Sequence, residues 1–192
     1  DRELCIVVLA GRVDIEVGSE RFESLGTRDS VFDERSPAAV YVPRDRRVRL
    51  VARSNAEVAL CFAPADDKAR AVRLIDPASM KRSVRGQGSN TRYVCDILPH
   101  DDPTAAHLLV VEVRTPAGNW SSYPPHKHDV TDPCPVVNEE IYFYKIAGHD
   151  QVSHSREGFG LHRTYTGHEH EDAGLAPLDE FIEVRDGDLV TI

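Results

Sequence analysis

The sequence has no apolar run near the ~20 residues that a membrane-crossing helix needs. Its opening Asp1-Arg2-Glu3 also lacks the basic-then-apolar order of a secretory leader. A soluble, cytoplasmic protein without a membrane partner is the expectation. No CxxC occurs: Cys5, Cys61, Cys95 and Cys134 lie far apart, which signals neither a zinc ribbon nor a dense disulfide framework and predicts buried free thiols. Excess positive charge is missing too. A net charge of −9 argues against a general nucleic-acid surface, because such a surface must neutralise phosphates with Lys and Arg. GxSxG, the P-loop and GxGxxG are absent, and Gly86-Gln87-Gly88 lacks the strand-to-helix setting of a phosphate cradle.

What is present is strand. A chain of 192 residues with 41% hydrophobic and 29% charged residues can bury a core, and Gly, Pro, Asn and Asp interrupt it at short intervals. Few stretches hold a 3.6-residue apolar period, so the fold class is all-β. Expected strands are Leu4 to Leu9, Val13 to Val17, Ala39 to Val42, Val48 to Val51, Val58 to Phe62, His107 to Arg114, Glu140 to Ile146, Leu161 to Tyr165 and Phe181 to Ile192. Val13-Asp14-Ile15-Glu16-Val17 alternates as one buried and one wet face require.

Between Ala63 and Arg85 the texture turns to Pro, Asp, Lys, Arg and Ala, with a short helix expected around Asp66 to Val72. The strand Ala39 to Pro43 is similar to Asp188 to Ile192, which suggests a duplicated barrel whose first copy, continuing Arg44-Asp45-Arg46-Arg47-Val48, lacks metal ligands. The expected organisation is a first barrel over 1–63, a connection over 64–85 and a metal-binding barrel over 86–192, with the chain truncated at both ends.

The chemistry concentrates in Gly118 to Asp129, which contains Pro124-Pro125-His126-Lys127-His128. Residues two apart on a strand project to one face, so His126 and His128 can offer both imidazoles to one ion. Twelve residues later Glu140 opens the run Ile141-Tyr142-Phe143-Tyr144, and a neighbouring strand could bring its carboxylate to the same point. Two imidazoles and a carboxylate suit Zn, Mn, Fe, Co or Ni. The order HxH, Glu before a β run, then Gly148 follows the first cupin motif, and Asp186 to Ile192 resembles the start of the second, whose histidine ligand is expected beyond Ile192. His168 and His170, and likewise His149 and His154, read as solvated loops; His100 reads as a turn.

The run GNWSSYPPHKHD, with NTRYVCDILP before it and EEIYFY, GFGLHRTYT and VRDGDLVTI after it, resembles the 5-deoxyglucuronate isomerases of myo-inositol catabolism, relatives of the 4-deoxy-uronate ketol-isomerases. The resemblance covers most of the chain. It implies a bicupin of two double-stranded β-helix (jelly-roll) barrels and conversion of 5-deoxy-D-glucuronate to 2-deoxy-5-keto-D-gluconate. It further implies one divalent metal ion (Zn, Mn or Fe) on His126, His128 and Glu140. Glu140 is preferred to Glu139 because it shares a strand face with Tyr142 and Tyr144. Departures from the family pattern fall at Tyr93, Cys95 and His162.

An aldose–ketose isomerase must move a proton between neighbouring carbons, and a divalent ion can polarise the two oxygens. Tyr142 is the candidate catalytic group, and Arg92 and Arg163 are candidates to pair with the substrate carboxylate. The expected partner is a small-molecule sugar acid, with a homo-oligomer left open. A non-haem iron dioxygenase and a non-catalytic sugar-acid-binding cupin are the rival readings.

Overall fold

The computed structural model describes residues 1–126, 128, 138–148, 150, 154, 157–167 and 177–192. Its strands are β1 (Arg2–Ala10), β2 (Val13–Val17), β3 (Glu20–Leu25), β4 (Ala38–Val42), β5 (Val48–Ala52), β6 (Glu57–Pro64) and β7 (Arg73–Ile75). They continue as β8 (Lys81–Arg85), β9 (Arg92–Leu98), β10 (Val110–Arg114), β11 (Ile141–Phe143), β12 (Gly160–Tyr165), β13 (Asp179–Val184) and β14 (Leu189–Thr191). Among the described residues the only helices are 3-10 turns at Pro77–Ser79 and Gly88–Asn90, and no helix is long and apolar enough to cross a membrane. The all-β architecture agrees with the bicupin expectation. The expected HxH loops at His168 and His170, the loop at His149, and the positions of Lys127 and Cys134 lie outside the described residues.

The chain divides into two compact units, Asp1–Tyr123 and Pro124–Ile192. In the first, three antiparallel sheets have the orders β6-β1-β4-β7, β3-β2-β5 and β10-β9-β8. Residues Glu3 to Leu9 of β1 are all buried because both faces of the strand are covered. Leu4, Ile6 and Val8 pack with Val13, Ile15 and Val17 of β2, while Cys5, Val7 and Leu9 pack with Cys95, Ile97 and Leu98 of β9. β4 is sandwiched the same way, which is why neither strand reads as a one-sided alternation. Cys5 and Cys61 oppose each other across β1 and β6 as free thiols, and burial pushes the Cys5 thiol up so that it stays protonated.

Three differences from the sequence expectation have local causes. The polar segment over 64–85, expected to be a connection with a short helix, holds two strands, β7, paired to β4, and β8, paired to β9. No helix forms over 66–72, because the Asp66 side chain accepts from the Lys68 backbone N–H at 3.2 Å and pairs with Arg70, an Asx turn that competes with helical bonding. The run from Phe181 to Ile192 is two strands: Gly187 turns the chain at φ +90°, so β13 pairs with β12 and β14 pairs with β11.

Buried charges tie the first unit together. Arg28, 2% exposed, reaches the Leu9 and Arg35 carbonyls and makes a two-pronged ion pair with Glu112 at 2.9 and 2.5 Å. Glu3, fully buried, accepts from the Tyr41 hydroxyl and from three consecutive backbone N–H groups, Ala106, His107 and Leu108.

Candidate functional site

Among its described residues the second unit presents two strand pairs, β11 with β14 and β12 with β13. Directly opposed residues in such pairs lie on one side, so Tyr142 shares a face with Val190, and His162 with Ile182. Alternation then sorts the remaining side chains. Glu140, Tyr142 and Tyr144 are partly buried, whereas Glu139, Ile141 and Phe143 are exposed. On β12, Gly160, His162 and Thr164 are partly buried and Leu161, Arg163 and Tyr165 are exposed. The two partly buried faces meet: the His162 ring centroid lies 5.4 Å from that of Tyr142 and 6.1 Å from that of Tyr144.

Glu140 sits at one end of this face, bonded to Ile192 by both backbone groups: its N–H donates at 3.2 Å and its carbonyl accepts at 2.9 Å. Its Oε1 is 3.4 Å from His128 Nε2, and the His126 and His128 ring centroids are 5.2 Å apart, edge to face. The structure thus places His128 beside both His126 and Glu140. Among the described residues no group of three or more His, Cys, Asp and Glu side chains converges as a metal cage. The Tyr142 hydroxyl donates to Glu140 Oε2, so the two carboxylate oxygens divide between His128 and Tyr142. Burial, and then the bond to Glu140, push the Tyr142 phenol up, so it remains a donor at neutral pH.

A cavity of about 280 Å³ opens on the same face, lined by His162, Thr164, Leu178, Glu180, Ile182, Val190, Thr191 and Ile192. That is close to the ~300 Å³ lower end of small-molecule sites. His162 joins the tyrosines to the cavity, with Nδ1 2.6 Å from the Tyr144 hydroxyl and Nε2 2.9 Å from Thr164 Oγ1. Burial lowers the His162 imidazole, favouring its neutral form.

The two candidate arginines lie elsewhere. Arg163, between His162 and Thr164 in sequence, faces the opposite way and forks onto Asp179 at 2.8 and 2.9 Å. Arg92 belongs to the first unit, where its Nη1 reaches the Asn90 carbonyl at 3.3 Å. Of the family departures, Tyr93 lies under the Arg114 guanidinium at 4.1 Å and Cys95 is in the first unit's core, so His162 alone of the three lines this cavity. Sequence reasoning did not assign Tyr144 or Thr164 a role in the site; the period-two pattern of β12 was the available signal.

Comparison with known proteins gives one answer. The model of the KduI/IolB family matches residues 1–192. A protein of Geobacillus kaustophilus named 5-deoxy-glucuronate isomerase is 42% identical over 194 residues, covering 100% of this chain and 64% of its own. One of the same name from Bacillus licheniformis is 38% identical, covering 100% and 65%. The crystal structure of an IolB-like protein from Salmonella typhimurium superposes with a TM-score of 0.86 at 34% identity, covering 100% of this chain and 67% of that one. The chain therefore spans just under two thirds of the length of these curated relatives, and it belongs to the KduI/IolB family.

Proposed function

We propose that the protein is an aldose–ketose isomerase of myo-inositol catabolism, acting in the cytoplasm on 5-deoxy-D-glucuronate to give 2-deoxy-5-keto-D-gluconate. The observation that carries this reading is the single face on which His128, Glu140, Tyr142 and His162 meet beside a cavity, in a chain whose relatives bear the name 5-deoxy-glucuronate isomerase. Two imidazoles and a carboxylate are a donor set that fits one divalent ion, Zn, Mn or Fe. His126, His128 and Glu140 would hold it.

When bound, such an ion polarises the substrate's carbonyl and hydroxyl oxygens and stabilises charge that develops on them. The chain's own residues prepare that event. His128 Nε2 faces Glu140 Oε1, and the Tyr142 phenol fixes Oε2, so the carboxylate cannot rotate without losing a charge-assisted hydrogen bond. Tyr142 is in this reading a positioning residue for Glu140. Leu178, Ile182, Val190 and Ile192 give the adjoining cavity apolar walls.

The test is proton NMR of 5-deoxy-D-glucuronate incubated with the full protein in D₂O. A new ketone with deuterium at the position that gains the proton supports the proposal. Recovery of unchanged, unlabelled aldehyde at high enzyme concentration refutes it.

A further inference from the structure

The Tyr144–His162–Thr164 chain can run in two directions, and the position of Thr164 at the cavity favours one of them. A neutral imidazole carries one N–H, so His162 either donates through Nδ1 to Tyr144 or accepts there and donates through Nε2 to Thr164. In the first arrangement the phenol's own proton would need a second acceptor, and among the described residues the Tyr144 hydroxyl has no partner except His162. A half-buried donor left unpaired is costly. Both arrangements satisfy the two His162 nitrogens and leave one hydroxyl proton over; in the second, where the phenol donates to Nδ1 and Nε2–H donates to Thr164 Oγ1, that proton sits on Thr164, which lines the cavity, whereas Tyr144 is not among the lining residues. Burial raises the Tyr144 phenol and lowers the His162 imidazole, which keeps one protonated and the other neutral.

One hydrogen then remains. The Thr164 oxygen is occupied as an acceptor, its proton has no acceptor among the described residues, and the residue lines the cavity of about 280 Å³. We propose that the Thr164 hydroxyl, aimed by Tyr144 and His162, donates a hydrogen bond to an oxygen of the sugar acid held in this cavity. It is thereby a specificity-determining contact of the isomerase site. This rests on the isomerase reading above. His162 acts through Thr164 and is a positioning residue, and Gln at this position would serve in the same way, because an amide accepts at its oxygen and donates at its nitrogen.

The direction is tested first on the unliganded full protein by long-range ¹H–¹⁵N NMR of His162. The proton is expected on Nε2; a proton on Nδ1 overturns the proposal whatever the activity. The contact is then tested with Thr164→Val, which keeps shape and strand preference but removes the hydroxyl. Its kcat/KM for 5-deoxy-D-glucuronate should fall about tenfold, the loss of one neutral hydrogen bond. Thr164→Ser and His162→Gln should retain most of the activity, and His162→Leu should behave like Thr164→Val. Wild-type turnover with an unchanged Thr164→Val overturns this proposal alone. A wild type without turnover overturns the isomerase reading and this contact with it.

Discussion

Glu3→Gln is the sharpest probe of how the first unit is held together. The Glu3 carboxylate is fully buried and accepts at 2.8 Å from the Tyr41 hydroxyl, at 2.8 Å from Ala106 N–H, and at 2.7 Å from both His107 and Leu108 N–H. His107 and Leu108 share Oε1, and Tyr41 and Ala106 share Oε2. An amide offers an NH₂ where one of those oxygens stood. Its better orientation faces Tyr41, which can reverse and accept, but Ala106 N–H is then left against another donor. One unpaired buried donor costs about 1–3 kcal/mol, and the remaining bonds lose their charge assistance. The expected destabilisation is therefore about 2–4 kcal/mol, a large part of the ~5–15 kcal/mol that holds an ordinary domain.

The pH dependence carries its own sign. Burial alone would raise the Glu3 carboxyl, but the hydrogen bonds from Ala106, His107, Tyr41 and Leu108 outweigh it and hold the group below its ordinary 4.5. A folded value below the unfolded one means that the charge stabilises the fold above the unfolded value. That stabilisation fades as pH falls through the folded value. Urea titrations followed by circular dichroism and by Trp120, the chain's single tryptophan and part of this unit, should show a lower midpoint for Glu3→Gln at pH 7 and a flatter loss of stability on acidification. Equal midpoints at pH 7 would mean that the buried Glu3 charge adds nothing to the stability of this unit.

Glu112→Gln should cost about 2–3 kcal/mol in the same assay, below the range for a fully buried pair because Glu112 is partly exposed while Arg28 is not; a change under about 0.5 kcal/mol would contradict the pairing. Tyr142→Phe frees one oxygen of Glu140 and should lower kcat about tenfold without moving the thermal midpoint of the second unit, measured by steady-state kinetics and calorimetry. Arg163→Ala should leave KM for 5-deoxy-D-glucuronate unchanged, since Arg163 is turned toward Asp179 and away from the cavity. A large rise in KM would return it to the carboxylate-binding role that its residue type first suggested.

Much of the fold was legible where polar and apolar residues alternate along a strand. Val13 to Val17 alternates and forms β2 with those bounds, but its polar face is covered and not wet, Asp14 being buried and bonded to Arg53; the alternation after Glu140 separates Glu140, Tyr142 and Tyr144 from Glu139 and Phe143. Legibility failed where neighbours decide. β8 and β9 carry mixed polar and apolar residues whose burial depends on the sheet covering them, and Lys81 to Arg85 gives no strand period of its own. At the site, HxH and the following Glu single out His126, His128 and Glu140 by residue type and spacing, and the structure sets His128 beside Glu140. Thr164 and Tyr144 are common residues, and only their hydrogen bonds to His162 distinguish them. Arg163 shows the opposite failure: its residue type suited a carboxylate ligand, but its parity on β12 points it outward.

The proposed isomerase site is tested by measuring ketose formation from 5-deoxy-D-glucuronate by the full wild-type protein and by His128→Ala, with the divalent metal in each sample quantified. Turnover with about one metal ion per chain is expected in the wild type, and loss of both in a folded His128→Ala. Turnover and metal content that both survive the substitution would contradict the proposal.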